Sequence, residues 1–258
     1  MEMLFLIQAR LGSTRYPRKM LENIYKNFNL IEIIVERLMM SNFCNKNNLY
    51  VLTTDSETDN DLIEDLKNKC VKYYRGNEDN VYKRFCDFVE YYELKHGNKV
   101  DLIIRICGDN PFIEPAFIDS LIDEYQEEID YYSYEDKLRN PAILTHYGFF
   151  GEVIKKDTLV NSKYLVNKDY LREHVTPIFY KNNKFKTKYL QIPLEIQEMD
   201  IRLTFDTKED LFIIKKIFSD LNKLDYNYKE VLNNLNSNTN LLEKMKTNIL
   251  NNSKTEQV

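Results

Sequence analysis

Leu4-Phe5-Leu6-Ile7-Gln8-Ala9-Arg10-Leu11-Gly12-Ser13-Thr14-Arg15-Tyr16-Pro17-Arg18-Lys19 changes character halfway along. Its first four residues form a continuous apolar run, the pattern of a short strand covered on both faces. That strand leads directly into four cations (Arg10, Arg15, Arg18, Lys19), a glycine and the hydroxyls of Ser13 and Thr14. At the carboxyl end of a buried strand this composition suits a polyphosphate. Backbone N–H groups near Gly12 can point at phosphate oxygens, and Arg10, Arg15 and Lys19 can neutralise them. The segment is neither a P-loop nor a G-x-G-x-x-G fingerprint, and a solvated basic loop would have the same composition. Arginine usage tilts the balance towards a site. Three of the ten arginines fall within residues 10–18 of an otherwise lysine-rich chain, where planar, multidentate donors are called for.

Outward from that loop the chain alternates two periods. Ile31, Ile34, Val35 and Leu38 have helical spacing, and Leu49–Leu52 is a second buried strand. A helix follows around Asp61–Lys69, then a short strand over Val71–Tyr74. Val81, Phe85, Phe88, Val89 and Tyr92 mark an amphipathic helix, Val100–Ile106 a strand, and Ile118–Tyr125 another helix. This rhythm predicts a mostly parallel sheet with helices on both faces. From Ile129 to Ile201 it breaks. After an Ile129–Tyr132 strand the sequence is polar, aromatic and irregular, so residues 130–185 read as an inserted lobe or a dimer-forming arm. Strands resume at Lys186–Ile192 and Arg202–Phe205, and Leu211–Leu221 forms a helix. Residues 1–235 therefore read as a single domain. Residues 236–258 form an asparagine-rich helix or tail whose end, 251–258, is expected to be disordered.

Composition excludes several classes. The 258 residues are 43% hydrophobic and 30% charged, which suits one globular domain. No uncharged apolar run is long enough for a membrane span, and the opening residues lack the basic region of a secretory signal. A net charge of −5 carries no field suited to nucleic acid. Cys44, Cys70, Cys86 and Cys107 show no C-x-x-C spacing, and three histidines make imidazole-based metal chemistry improbable. A cytoplasmic α/β enzyme or binding protein remains.

At the basic loop the sequence resembles the spore-coat-polysaccharide type of cytidylyltransferase. That family is related to the synthetases of CMP-linked 3-deoxy-manno-octulosonate and CMP-linked nonulosonic acids. Further segments match in the same order. Arg75-Gly76-Asn77-Glu78-Asp79-Asn80-Val81, with Arg84 after it, resembles the family's glycine–acid segment. Arg105-Ile106-Cys107-Gly108-Asp109-Asn110-Pro111 resembles its metal-site strand end. Arg172-Glu173-His174-Val175-Thr176 resembles a segment of this branch, and Arg202-Leu203-Thr204-Phe205-Asp206-Thr207-Lys208-Glu209-Asp210-Leu211 the closing motif. One departure stands out: Arg18 occupies the position of a family glycine, which would permit a positive φ at low cost.

Several residues carry two readings. Asp109 follows a strand at the sheet edge where α/β ligands bind, and Gly-Asp-Asn-Pro is also a common turn. Asp206 lies between a strand and a helix, where Asp206-Thr207-x-Glu209 would also serve as an N-cap. Thr53-Thr54-Asp55 ends a strand and suits either a base or ribose contact or loop termination. His96, beside Gly97, reads as a surface residue at a helix C-terminus, and His146 is unassigned.

The resemblance implies a Rossmann-like nucleotidyltransferase fold of the nucleotide-diphospho-sugar transferase type, and cytidylyl transfer from CTP with magnesium. Arg10, Lys19 and Asp109 would be catalytic. Ala9, Arg10, Gly12, Ser13, Arg15, Lys19, Thr54, Gly76, Arg84 and Gly108 would bind nucleotide, with Asp109 and Asp206 holding the metal. Arg105, Arg172 and His174 would meet a small anionic acceptor. A sugar acid for surface polysaccharide or glycan synthesis is the expected acceptor. The alternatives are a phosphorylated sugar, polyol or phosphonate, or a nucleotide-binding protein impaired in turnover. Partners are CTP, the acceptor and a second copy in a homodimer, with neither nucleic acid nor membrane.

Overall fold

The computed structural model describes residues 1–251, in which the alternating runs form a seven-stranded sheet covered by helices on both faces. The chain opens with β1 (Met3–Gln8), a small ladder of β2 (Asn23–Tyr25) and β3 (Phe28–Asn29), α1 (Leu30–Leu38), β4 (Leu49–Thr54) and α2 (Asn60–Asn68). β5 (Tyr73–Gly76), α3 (Val81–His96), β6 (Leu102–Cys107) and α4 (Pro115–Asp123) follow. The next stretch carries β7 (Tyr131–Glu135), β8 (Glu152–Lys155) and the short helices α5 (Lys156–Asn161), α6 (Asp169–His174) and α7 (Pro177–Tyr180). β9 (Thr187–Gln191), α8 (Leu194–Gln197), α9 (Lys208–Leu221), α10 (Tyr228–Asn236) and α11 (Thr239–Asn251) complete it.

The sheet order is β5-β4-β1-β6-β8-β7-β9, and β8 alone runs against its neighbours. Alternation within the central strands sends Phe5 and Ile7 into one apolar layer and Leu4 and Leu6 into the other. Both layers are dry, which is why these strands read as unbroken apolar runs rather than alternating ones. β1 pairs in parallel with β4 on one side and β6 on the other, so connections leave it in opposite directions. A crevice opens at the carboxyl ends of strands where the order reverses in this way.

Local chemistry fixes the helix starts. Asn29 and Glu32 form a capping box for α1, Asn80 caps α3, and Gly97 ends α3 at φ 72°. Residues 130–185 contribute β7 and β8 to the same sheet, so the irregular stretch is built into the side of it beyond β6. The expected Arg202–Phe205 strand is not one. The segment is extended and buried, but its ties are single bonds to loops: Leu203 N to His146 O, and Phe205 N to Asp109 O, each 2.8 Å. Beyond Asn233, α10 and α11 bury Leu235, Leu241 and Met245 against the core. The expected disorder of the last residues concerns 252–258, which lie outside the described residues; Asn251 ends α11.

Candidate active site

A cleft of about 900 Å³ opens at the carboxyl ends of β1 and β6. Gln8 and Ala9 form its floor beside Cys107, Gly108 and Asp109, and Arg10, Ser13, Arg15 and Lys19 rise from the loop after β1. Gly108 is there for space. A Cβ on it would stand 2.6 Å from the Gln8 carbonyl, which its own N–H meets at 3.0 Å. Gly12 is different, for a Cβ there would meet nothing within 4 Å.

The basic loop is held by a residue that sequence reasoning missed. Asp59, 1% exposed, accepts from the Leu11 N–H at 2.7 Å, the Thr53 hydroxyl at 2.8 Å, and the Thr54 hydroxyl and N–H at 2.5 and 3.1 Å. Burial pushes its carboxyl up, but these donors outweigh that and hold it below the usual range. Thr54 is therefore not brought to the cleft: its hydroxyl is committed to Asp59 inside the fold. Arg18 adopts φ 63°, ψ 18°, the left-handed conformation that a glycine takes freely. Its N–H reaches Leu11 O at 2.8 Å and its guanidinium reaches Asp61 at 2.7 Å, so the loop closes despite the side chain.

Asp206 gathers the cations. Its Oδ1 lies 3.1 Å from Lys19 Nζ and 3.0 Å from Arg15 Nη2, and its Oδ2 3.1 Å from Arg202 Nη2. Burial raises its carboxyl, yet Lys19 and Arg15, with Arg202, bring it below the ordinary value. The helix cap lies one residue further on, where Thr207 and Asp210 form the capping box of α9. Asp206 is thus freed for the cleft. Asp210 also accepts from Arg202 and from the Asp206 N–H at 2.9 Å, and Arg202 Nη1 lies 2.7 Å from His146 Nδ1. Because guanidinium only donates, that imidazole nitrogen is an acceptor.

Asp109 is the opposite case. It lines the cleft from the turn after β6, and no side chain among the described residues hydrogen-bonds its carboxylate. The Phe205 N–H to Asp109 O bond sets the two acidic segments side by side. No group of three or more metal-ligating side chains exists among the described residues. A metal between these carboxylates would take most of its shell from phosphate and water, as magnesium does.

The other expected residues divide. Arg84 lines the cleft but donates to the carbonyls of Asn77 and Glu78 at 2.8–3.1 Å. Burial, and after it the neighbouring Arg10, depress it to about 10. Gly76 does not line the cleft; a Cβ there would meet Arg84 Cγ at 2.9 Å, so its smallness seats that arginine. Arg105, 3% exposed, faces the cleft while tied to Glu152 and to Gln8 Oε1 at 2.9 Å. His174 lines the cleft, presented by a tight turn at Val175, φ 66° and ψ −60°, with Thr176 N to His174 O at 2.7 Å. A β-branched residue at positive φ is strained, and such strain collects at functional sites. Arg172 pairs with Asp169 at 2.9 Å and lines a neighbouring shallow depression, with Glu173 common to both. Lys181 and Tyr180, in the far wall, had no signal in the sequence.

The family model described as Cytidylyltransferase matches residues 4–248. The spore coat polysaccharide biosynthesis protein SpsF of Bacillus subtilis is 33% identical over 92% of this chain and 95% of its own. A 3-deoxy-manno-octulosonate cytidylyltransferase of Trichlorobacter lovleyi is 23% identical over 75% of this chain and 63% of its own. Among solved structures, a cytidylyltransferase from Leptospira borgpetersenii superposes with a TM-score of 0.81, at 27% identity over 94% of this chain and 97% of that one. The chain belongs to the cytidylyltransferase family, whose members are nucleotidyltransferases that use CTP.

Proposed function

We propose that the protein transfers CMP from CTP to a sugar acid or a related small anionic acceptor, releasing pyrophosphate, in surface polysaccharide or glycan synthesis. The observation that carries this reading is the cleft itself. Six cations (Arg10, Arg15, Lys19, Arg84, Arg105, Lys181) and three carboxylates (Asp109, Glu173, Asp206) line it. That excess suits two anionic substrates together. Arg10, Arg15 and Lys19 hold the triphosphate, with the backbone at Ala9, Gly12, Ser13 and Gly108 beside it. Arg84 adds positive charge from beneath. Asp109 and Asp206 would hold magnesium through their hard carboxylate oxygens, and the ion would supply positive charge against the phosphates.

The acceptor oxygen attacks the α-phosphorus, a new P–O bond forms, and the bond to the β-phosphate oxygen breaks. The pyrophosphate keeps that electron pair, and the acceptor's proton passes to solvent. Positioning and charge neutralisation provide the rate enhancement. Arg15 and Lys19 contact Asp206, so phosphates enter by sharing these cations. Arg105, His174 and Lys181 face the acceptor, and Arg172 guides it at the rim. The names and sequences of the relatives support a sugar acid. No helix among the described residues is long and apolar enough to cross a membrane. Leu138 and Tyr164, 74% and 76% exposed, favour a homodimer built on this stretch.

Pyrophosphate release with CTP, magnesium and a panel of sugar acids, phosphorylated sugars, polyols and phosphonates tests the reading. Release with a sugar acid, and little with UTP or ATP, is expected. Release confined to phosphorylated acceptors would reassign the product as CDP-linked, and equal use of UTP or ATP would defeat the proposal.

A further inference from the structure

Among the described residues, four buried side-chain atoms lack a hydrogen-bond partner: Arg37 Nη2, Arg105 Nε, Thr204 Oγ and Asn234 Oδ1. Arg105 and Thr204 both line the cleft. Arg105 is anchored through its other nitrogens, to Glu152 and Gln8. Thr204 has only its hydroxyl, and that hydroxyl is dry and unpaired on a side chain 3% exposed. Native folds satisfy nearly all such groups, so an orphan in a cleft points to a partner that arrives with a ligand.

Its position says which part of the ligand. In the extended Arg202–Asp206 segment, Leu203 and Phe205 are fully buried in the core, and Arg202 and Asp206 contact each other at 3.1 Å. Thr204 lies between them in the alternation. Three parts of the cleft meet around it. Lys19 of the basic loop reaches Phe205 O at 2.6 Å, the Asp109 turn accepts from Phe205 N, and Leu203 N is tied to His146 O, in the loop whose Thr145 and Gly148 line the cleft. In the reading proposed above, on which this inference rests, the group standing between the triphosphate-holding basic loop and the acidic turn is the α-phosphate. We infer that the Thr204 hydroxyl donates a hydrogen bond to a non-bridging oxygen of the CTP α-phosphate. A threonine has more than one accessible χ1 rotamer, and a turn about that bond exchanges hydroxyl and methyl within the same volume. A hydroxyl donating to a phosphate anion makes a charge-assisted bond.

The test exploits a conflict between stability and binding. An unpaired buried hydroxyl gives the free protein nothing, so Thr204→Val, equal in shape, leaves the melting temperature unchanged or higher. The same substitution weakens binding of magnesium–CTP and of CMP by about tenfold or more, the loss of one hydrogen bond to a charged group. Calorimetric titration should show magnesium–pyrophosphate binding within about twofold of the parent, because it lacks the α-phosphate. Thr204→Ser retains CTP affinity. CTP binding to Thr204→Val within twofold of the parent overturns the inference, and so does equal weakening of pyrophosphate binding. A Thr204→Val protein that melts lower or fails to fold also overturns it, since the hydroxyl would then have a structural partner. If the parent itself does not bind magnesium–CTP, the reading of the whole site fails instead.

Discussion

Asp109 and Asp206 share a residue type and have opposite surroundings. Asp206 is enclosed by Lys19, Arg15 and Arg202, whereas Asp109 has no side-chain hydrogen-bond partner among the described residues. From sequence, both substitutions to asparagine should leave the fold intact. The structure separates them. Asp109→Asn removes no intramolecular bond and should change stability by less than about 0.5 kcal/mol. Asp206→Asn leaves buried Arg202 with one carboxylate, Asp210, in place of two, and should cost about 1–3 kcal/mol in urea unfolding. Turnover should fall by about 10²-fold or more in each, as when one electrostatic stabiliser of a transition state is lost. Excess magnesium should partly restore the Asp206 variant. Near-parent turnover in both at limiting magnesium would remove the metal from this site. Arg15, Lys19 and Asp206, read from the sequence as site residues, meet at the cleft, where Asp206 contacts both cations. Thr54 and Gly76, read in the same way, do not reach it, because their partners, Asp59 and Arg84, engage them from within the fold.

At the scale of elements, strands buried on both faces were legible because most positions in them must be apolar, as in Leu4–Ile7 and Leu49–Leu52. β8 was not, since Glu152 interrupts the run, and only its burial against Arg105 and Tyr131 lets a carboxylate stand there. Arg202–Phe205 misled in the other direction: its residues are buried like a strand's, but its backbone answers to two loops. The clamp between α2 and the basic loop has the same non-local origin, Asp59 reaching Leu11 from 48 positions away. It carries a pH signature. Asp59 titrates below its unfolded value, so its contribution is complete above the unfolded pKa near about 4 and is lost as pH falls through the lower, folded one. Asp59→Asn cannot accept all the bonds that the carboxylate does and should melt lower at neutral pH, by an equivalent of about 2 kcal/mol. That deficit should shrink as both proteins are taken from about pH 6 to about pH 2.5. A gap that stays constant over this range would mean that the carboxylate's charge has no part in holding the loop.

For the whole molecule, charge is arranged against its own sum. The chain carries −5, yet the cleft is lined by six cations and three carboxylates. The sequence shows both facts only in pieces, since the contributing residues run from Arg10 to Asp206. What unites them is topology: parallel strands deliver their carboxyl ends, and the loops that follow, to one edge. The overall and local charges make opposite demands on how CTP arrives. An approach governed by net charge is repulsive and would speed up as salt screens it; one governed by the cleft is attractive and would slow down. At contact distances the cleft should dominate, because low-dielectric walls focus the field of the nearest charges while solvated carboxylates elsewhere are screened. Raising ionic strength from about 0.01 M to about 0.1 M shortens the screening length from roughly 30 Å to roughly 10 Å. Over that range the association rate of CTP at constant magnesium should fall by about tenfold, with a smaller change in dissociation. Arg15→Ala should flatten the dependence without unfolding the chain, since Arg15 is half exposed and its partner Asp206 keeps Lys19 and Arg202. Stopped-flow mixing measures it. An association rate that rises with salt would show that the net negative charge governs the approach, and would remove the electrostatic argument for a triphosphate in this cleft.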